Sequence, residues 1–202
     1  MTKRRLRRSP ELGRNEILEA AEAAVAELDW GDLTVELLME RTGMTRSSFY
    51  HYFASLEEVA MALFGRIEAE IGEAVDDWLV GEPPGDPLAV TTTHLTRLFA
   101  IWAKHADLMR AIQQAGARDR RVYEQWRGRV VEAYVAKTAA FIRRQVARGL
   151  SDAPDPDQLA HALIWMNTGV SSDLTSRPQP EPAERVVSAL ARVWNASIYG
   201  RY

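Results

Sequence analysis

Apolar residues recur along this chain at helical spacing, never at the two-residue alternation of a strand. Ile17, Ala21, Ala24 and Leu28 form an i, i+4, i+7 stripe, and Arg14 to Asp29 holds neither Gly nor Pro, which predicts a first helix closed by Trp30-Gly31. Thr34 is placed to cap a short second helix that turns Val35, Leu38 and Met39 inward and stops near Gly43. Thr45 can cap a third. Ser55 and Glu58 have capping-box spacing, and from Leu56 to about Val80 a fourth helix meets no breaker stronger than Gly65 and Gly72. Further on, segments 87–104, 106–115, 119–148, 156–174 and 183–199 are each helix-like, separated by Pro- and Gly-rich stretches at 81–87, 149–156 and 176–182 and by a weaker break near Gly116. The expected fold is all-α, with about nine helices and no internal repeat.

Composition narrows the class. The 202 residues are 47% hydrophobic, enough for a sizeable core, and no run approaches the roughly 18 apolar residues of a membrane span. The absence of Cys excludes disulfides, thiolate nucleophiles and Cys-ligated metals. Net charge is −3, yet Lys3, Arg4, Arg5, Arg7 and Arg8 concentrate positive charge in a short arm and leave 20 basic against 28 acidic side chains elsewhere. Pro10, Glu11, Arg14, Glu16 and Glu19 interrupt any apolar segment a secretory leader would need, so a cytoplasmic protein is expected.

The segment Thr34 to Phe53 has the layout of a helix-turn-helix: a short helix, a Gly that allows a tight turn, and a second short helix that can enter a major groove. Val35, Leu38, Met44, Phe49 and Phe53 make its expected shared core. Thr45, Arg46, Ser47, Ser48, Tyr50, His51 and Tyr52 remain outward, a set of donors suited to phosphates and base edges of double-stranded DNA.

These residues, from 14 to about 64, resemble the TetR-type one-component transcriptional regulators, whose recognition segment ends in an aromatic Tyr-x-Tyr/His-Phe run. Tyr123-Glu124-Gln125-Trp126, Thr138 to Ile142 and Trp194 to Gly200 extend the resemblance to the EthR-like subgroup over nearly the whole chain. Two positions depart from the family pattern: Ser47 stands where Gly is usual, and Leu56 replaces a Lys that would offer an ammonium to phosphate. The resemblance implies that Arg46, with Ser47 beside it, reads bases. It assigns Thr45, Ser48, Tyr50, His51 and Tyr52 to phosphates, with Thr34 touching one from the start of helix two. The arm has two readings, a minor-groove contact or a solubilising tail.

The carboxy-terminal part carries aromatic and Met residues on several helices. They can be plain core, but Asn167 among Ile164, Trp165, Met166 and Val170 needs a hydrogen-bond partner, which a ligand carbonyl can supply. The resemblance implies a mostly apolar channel for a small hydrophobic ligand, with candidate lining Phe99, Trp102, Met109, Trp126, Tyr134, Trp165, Asn167 and Trp194. Ile164 stands where the subgroup can have a second Asn. Leu159, Leu163, Met166 and Val170, with Val186, Val187, Leu190, Val193 and Trp194, form either intrachain core or the four-helix interface of the homodimer that the resemblance implies.

The expected organisation is an arm at 1–13, a helix-turn-helix domain at 14–55, and a ligand-binding and dimerisation domain at 56–202, with helix four the only segment joining the parts. His94, His105 and His161 lack ligand-dense surroundings, and nucleophile-elbow, dinucleotide and phosphate-loop motifs are missing, so neither metal, cofactor nor catalysis is expected. The expected function is a ligand-responsive repressor that binds a palindromic operator as a homodimer. The alternative is an all-α carrier or enzyme for hydrophobic molecules that does not bind DNA.

Overall fold

The computed structural model describes residues 9–82, 85–176 and 183–200, and the arm residues Lys3, Arg4, Arg5, Arg7 and Arg8 lie outside them. The helices are α1 (Pro10–Glu27), α2 (Val35–Thr42), α3 (Arg46–Tyr52), α4 (Leu56–Leu79), α5 (Pro87–Lys104), α6 (Ala106–Arg118), α7 (Arg120–Trp126), α8 (Ala133–Ala147), α9 (Pro156–Ser176) and α10 (Ala183–Tyr199). A π-helical stretch, Arg127–Glu132, runs α7 into α8, so the described residues form nine helical rods without a strand. A single 3₁₀ turn, Trp30–Asp32, sits between α1 and α2.

Cap chemistry sets the boundaries. The Ser9 hydroxyl accepts from Leu12 N at 3.2 Å, and Pro10 takes the first helical position, where its fixed φ helps and its missing N–H costs nothing. Helix α1 therefore begins at Pro10, four residues before the start its apolar stripe suggests. Asp86 and Pro87 repeat the device at α5, where Asp86 Oδ2 accepts from Ala89 N at 3.0 Å. The Ser55 hydroxyl accepts from Glu58 N at 3.4 Å, and Glu58 Oε2 answers by accepting from Ala54 N at 2.7 Å. Helix α6 continues through Gly116 to Arg118 rather than breaking there.

One core runs from Ile17 to Ile198, and α4 is its spine. Residues from Val59 to Leu79 on α4 are buried against α1, α5, α6, α7 and α8. Each large apolar side chain so placed contributes about 1.5–3 kcal/mol. The pairs α5 with α10 and α8 with α9 build the rest of the carboxy-terminal bundle. Leu163, Val187, Leu190 and Trp194 belong to this intrachain core. Of the apolar positions on α9 and α10, Val193 is exposed, while Leu159, Met166, Val170 and Val186 are half-buried.

Helix α4 is not the sole bridge between the two parts. Helix α6 packs directly on α1 and on the 3₁₀ turn. The Trp30 N–H donates to Gln114 Oε1 at 2.8 Å, and Gln114 Nε2 donates to Asp29 Oδ1 at 3.1 Å. The Arg118 guanidinium of α6 lies over Gly31, in the space a Cβ there would take.

Candidate functional site

Thr34 caps α2, its hydroxyl accepting from Leu37 N at 3.2 Å. Gly43 ends that helix at φ 64°, in the left-handed region, and Met44 N reaches back to Met39 O at 3.1 Å. A Cβ there meets nothing within 4 Å, so conformation rather than space calls for Gly. Thr45 then caps α3: its hydroxyl accepts from Ser48 N at 3.3 Å and lies 3.0 Å and 2.9 Å from the Ser47 and Ser48 hydroxyls. Leu38, Phe49 and Phe53 are buried and Val35 and Met44 half-buried, so the turn holds α3 by its inner face.

Thr34, Thr45, Arg46, Ser47, Tyr50 and His51 are exposed, and Ser48 is half-buried. Tyr52 differs from the outward placement expected of it. Three residues beyond Phe49, it turns toward α1, and a Cβ on Gly13 would come 2.4 Å from its hydroxyl. It joins α3 to α1, with Gly13 giving it room.

Residues 14–55 hold three basic side chains against eight acidic ones, and all three are engaged. Arg14 lies 4.6 Å over the Phe53 ring, Arg41 pairs with Glu27 at 2.6 Å, and Arg46 pairs with Glu36 at 2.6 Å. Tyr50 beside it, and then Glu36, hold the Arg46 guanidinium still more firmly in its charged form. The surplus positive charge of this end of the chain is thus carried by the arm.

In the carboxy-terminal part, Trp126 and Trp165 meet edge-to-face, centroids 6.3 Å apart, in the wall of a cavity of about 420 Å³. Helix α6 contributes Ile112, Gln113, Gly116 and Ala117 to that cavity, and α9 contributes Thr168, Gly169 and Ser172. Tyr134 lines a smaller cavity of about 160 Å³ between α4 and α8. Phe99, Trp102, Met109, Asn167 and Trp194 are buried and line neither. Asn167 has a partner within the protein: its Oδ1 accepts from Trp194 Nε1 at 3.1 Å. Its Nδ2, the Tyr134 hydroxyl and the Thr138 hydroxyl are buried without a hydrogen-bond partner. Burial raises the Tyr134 pKa, so that hydroxyl stays protonated and able to donate.

The histidines have local duties. His105 Nε2 lies 3.0 Å from Glu70 Oε2, His94 stacks on Trp78 at 5.8 Å, and His161 Nε2 accepts from Trp165 Nε1 at 3.0 Å. No group of three or more His, Asp or Glu placed to hold a metal occurs among the described residues, and no described helix is long and apolar enough to cross a membrane.

Sequence reasoning missed two features. Glu36 as the mate of Arg46 lies ten positions away across the turn, and the Gln114 clasp joins residues 84 and 85 positions apart, beyond any helical period.

Residues 17–63 match the family described as bacterial regulatory proteins, tetR family, and residues 91–200 match the transcriptional regulator EthR, C-terminal domain. The chain is 30% identical over 186 residues to the HTH-type transcriptional regulator EthR of Mycobacterium tuberculosis (strain ATCC 25618 / H37Rv), covering 91% of this chain and 86% of that protein. It is 28% identical to EthR of Mycolicibacterium smegmatis, covering 91% and 85%. Among solved structures, the SmeT–triclosan complex superposes with TM-score 0.71 at 20% identity, covering 92% of this chain and 90% of that one. A putative TetR-family regulator from Mesorhizobium loti MAFF303099 gives TM-score 0.70 at 18% identity, covering 94% and 98%.

Proposed function

The chain belongs to the TetR family of bacterial transcriptional regulators, with an EthR-type carboxy-terminal domain, and from that premise we propose a repressor that binds a palindromic operator as a homodimer and is released by a small hydrophobic effector. Arg46 reads base edges with Ser47 beside it, and Thr34, Thr45, Ser48, Tyr50 and His51 position α3 on phosphates. Tyr52 holds the helix in place from behind. The cationic arm supplies the phosphate attraction that the compact domain, rich in carboxylates, lacks.

Helix α6 carries this reading. One side of it walls the Trp126–Trp165 cavity, and Gln114 on the same helix grips the turn that precedes α2. An apolar ligand that shifts α6 therefore acts on the DNA-reading unit directly, in parallel with α4. The lining of that cavity is mostly apolar, with Gln113, Thr168 and Ser172 as its polar side chains, which favours a hydrophobic effector bearing few polar groups. A ligand that prefers the released state a hundredfold supplies about 2.7 kcal/mol per site.

Selection from random-sequence DNA tests the reading. Wild type is expected to enrich a palindrome, Arg46→Ala to lose discrimination, and Tyr50→Ala to weaken binding with the motif kept. Failure of wild type to enrich any palindrome would favour a carrier of hydrophobic molecules instead.

A further inference from the structure

The π turn Arg127–Glu132 stands between two cavities, with Trp126 of the aromatic one just before it and Tyr134 of the smaller one just after. Of its six residues only Val131 is buried. Both flanks are anchored: Val122 is buried upstream, and downstream Tyr134 is buried and Lys137 Nζ pairs with Asp76 Oδ1 of α4 at 2.5 Å. A change of winding between those anchors disturbs little of the core.

Two ion pairs mark the form this turn has taken. Arg127 Nε and Glu132 Oε1 lie 3.2 Å apart, five positions along the chain. On a regular α-helix residues so spaced point about 140° apart, whereas in a turn closed by i→i+5 bonds they stand nearly over each other. That pair belongs to the π winding. Arg129 reaches the other way: its Nε donates to Glu68 Oε1 at 3.3 Å and its Nη2 donates to Oε2, a two-point grip on α4. Glu68 lies roughly 18 Å of helix from the start of α4, which follows directly on α3.

Both pairs are partly open to solvent, so neither holds the turn firmly. A Cβ on Gly128 would meet only Glu132 Oε2, at 4.0 Å, so space does not require Gly there. What Gly adds inside a helical rod is backbone freedom.

We infer that this turn is the lever between the aromatic cavity and α4, with Arg129 as its positioning residue. On the reading of the chain as an effector-released DNA binder, a molecule that pushes Trp126 outward shifts the surplus residue of the turn along 127–132 and draws Arg129 off Glu68. The DNA-side half of α4 then loses a tether. This acts in parallel with the pull of α6 on Trp30.

Affinity for the palindrome that selection enriches, measured by fluorescence anisotropy, tests the lever, with Ala117→Trp filling the aromatic cavity in place of an effector. The readout is the response, the ratio of Kd with and without that filler, in the parent and in variants whose folding is checked by circular dichroism. Gly128→Ala stiffens the turn and lines neither cavity. It should keep basal affinity and reduce the response at least about twofold. Arg129→Gln should weaken basal binding and reduce the response by a similar factor, and Arg129→Lys, which keeps a charge for Glu68, should restore the larger part of both. A full response in folded Gly128→Ala, or Arg129→Gln equal to the parent in affinity and response, would overturn the lever and leave the effector reading intact. A parent whose DNA binding ignores Ala117→Trp would sink that reading and the lever with it.

Discussion

In the proposed function Arg46 serves two partners in turn, Glu36 and a base edge. In the free protein its Nη1 is held 2.6 Å from Glu36, and a bidentate contact to a base edge competes with that pair for the guanidinium. Exposed pairs of this kind are weak, so the exchange costs little, but it also takes a carboxylate to a phosphate surface. Glu36→Gln is accordingly expected to tighten binding a few-fold to operator and random duplex alike, measured by fluorescence anisotropy. Unchanged affinity would mean that Arg46 does not leave Glu36 on DNA. Glu82 is the second residue whose charge is tied to the fold. Burial opposes its ionisation, yet Arg144 and Arg148 together hold its pKa below the ordinary 4.5. Its folded-state pKa being the lower one, the stabilisation is complete above that ordinary value and is lost as pH falls through the depressed one. Acid unfolding followed by circular dichroism should therefore show Glu82→Gln least different from wild type at the lowest pH and most different near neutrality.

The elements divide by what local chemistry can announce. Thr34, Thr45, Ser55 and Gly43 each leave a cap or turn signature within a few positions, and the helix starts they imply are the ones formed. Pro10 and Asp86-Pro87 carry the same information, yet the start of α1 was hidden because no apolar stripe covers its first turn. Tyr52 was misplaced because α3 has seven residues: once Phe49 is buried, position 49+3 falls on the same side and only a narrow outward face remains. On α9 and α10 an apolar residue looks alike whether its partner is the chain's own bundle or a second copy, and the chain's own bundle took Leu163, Val187, Leu190 and Trp194. Trp194 Nε1 donates to Asn167 Oδ1 across 27 positions, which periodicity could not reveal. The Gln114 clasp gives the element scale its prediction. Gln114→Ala removes the acceptor of the Trp30 N–H and the donor to Asp29 while leaving the cavity wall intact. We expect near-normal DNA affinity and a reduced response to filling the aromatic cavity: Ala117→Trp, which stands in for an effector, should weaken DNA binding in the parent and much less beside Gln114→Ala. Equal weakening in both backgrounds would route the coupling through α4 alone.

Across the whole molecule, charge is distributed so that the folded body repels a polyanion and the amino-terminal arm attracts it. Removal of residues 2–8 is expected to weaken operator and random DNA together and to flatten the dependence of log affinity on log salt by about 0.9 per lost phosphate contact. Affinity and slope both unchanged would make the arm a solubilising tail. In the proposed homodimer the exposed Val193 and the half-buried Leu159, Met166, Val170 and Val186 are apolar surface on α9 and α10 left for a second copy. Two α3 helices held at fixed separation would then ask for a palindrome.

The rod made by α7 and α8 contains one residue more than a regular winding needs between Arg127 and Glu132, where those two side chains form an ion pair at 3.2 Å. Trp126 lies just before that surplus residue and Tyr134 just after it. Deleting Gly128 would let the winding close up into regular α-helix, and the segments on either side would keep their mutual orientation, because the surplus residue is absorbed within the π turn. Trp126 would stay against Trp165 and Tyr134 would keep its place, so this turn is where the rod tolerates gain or loss of a single codon without disturbing the aromatic residues on either side of it.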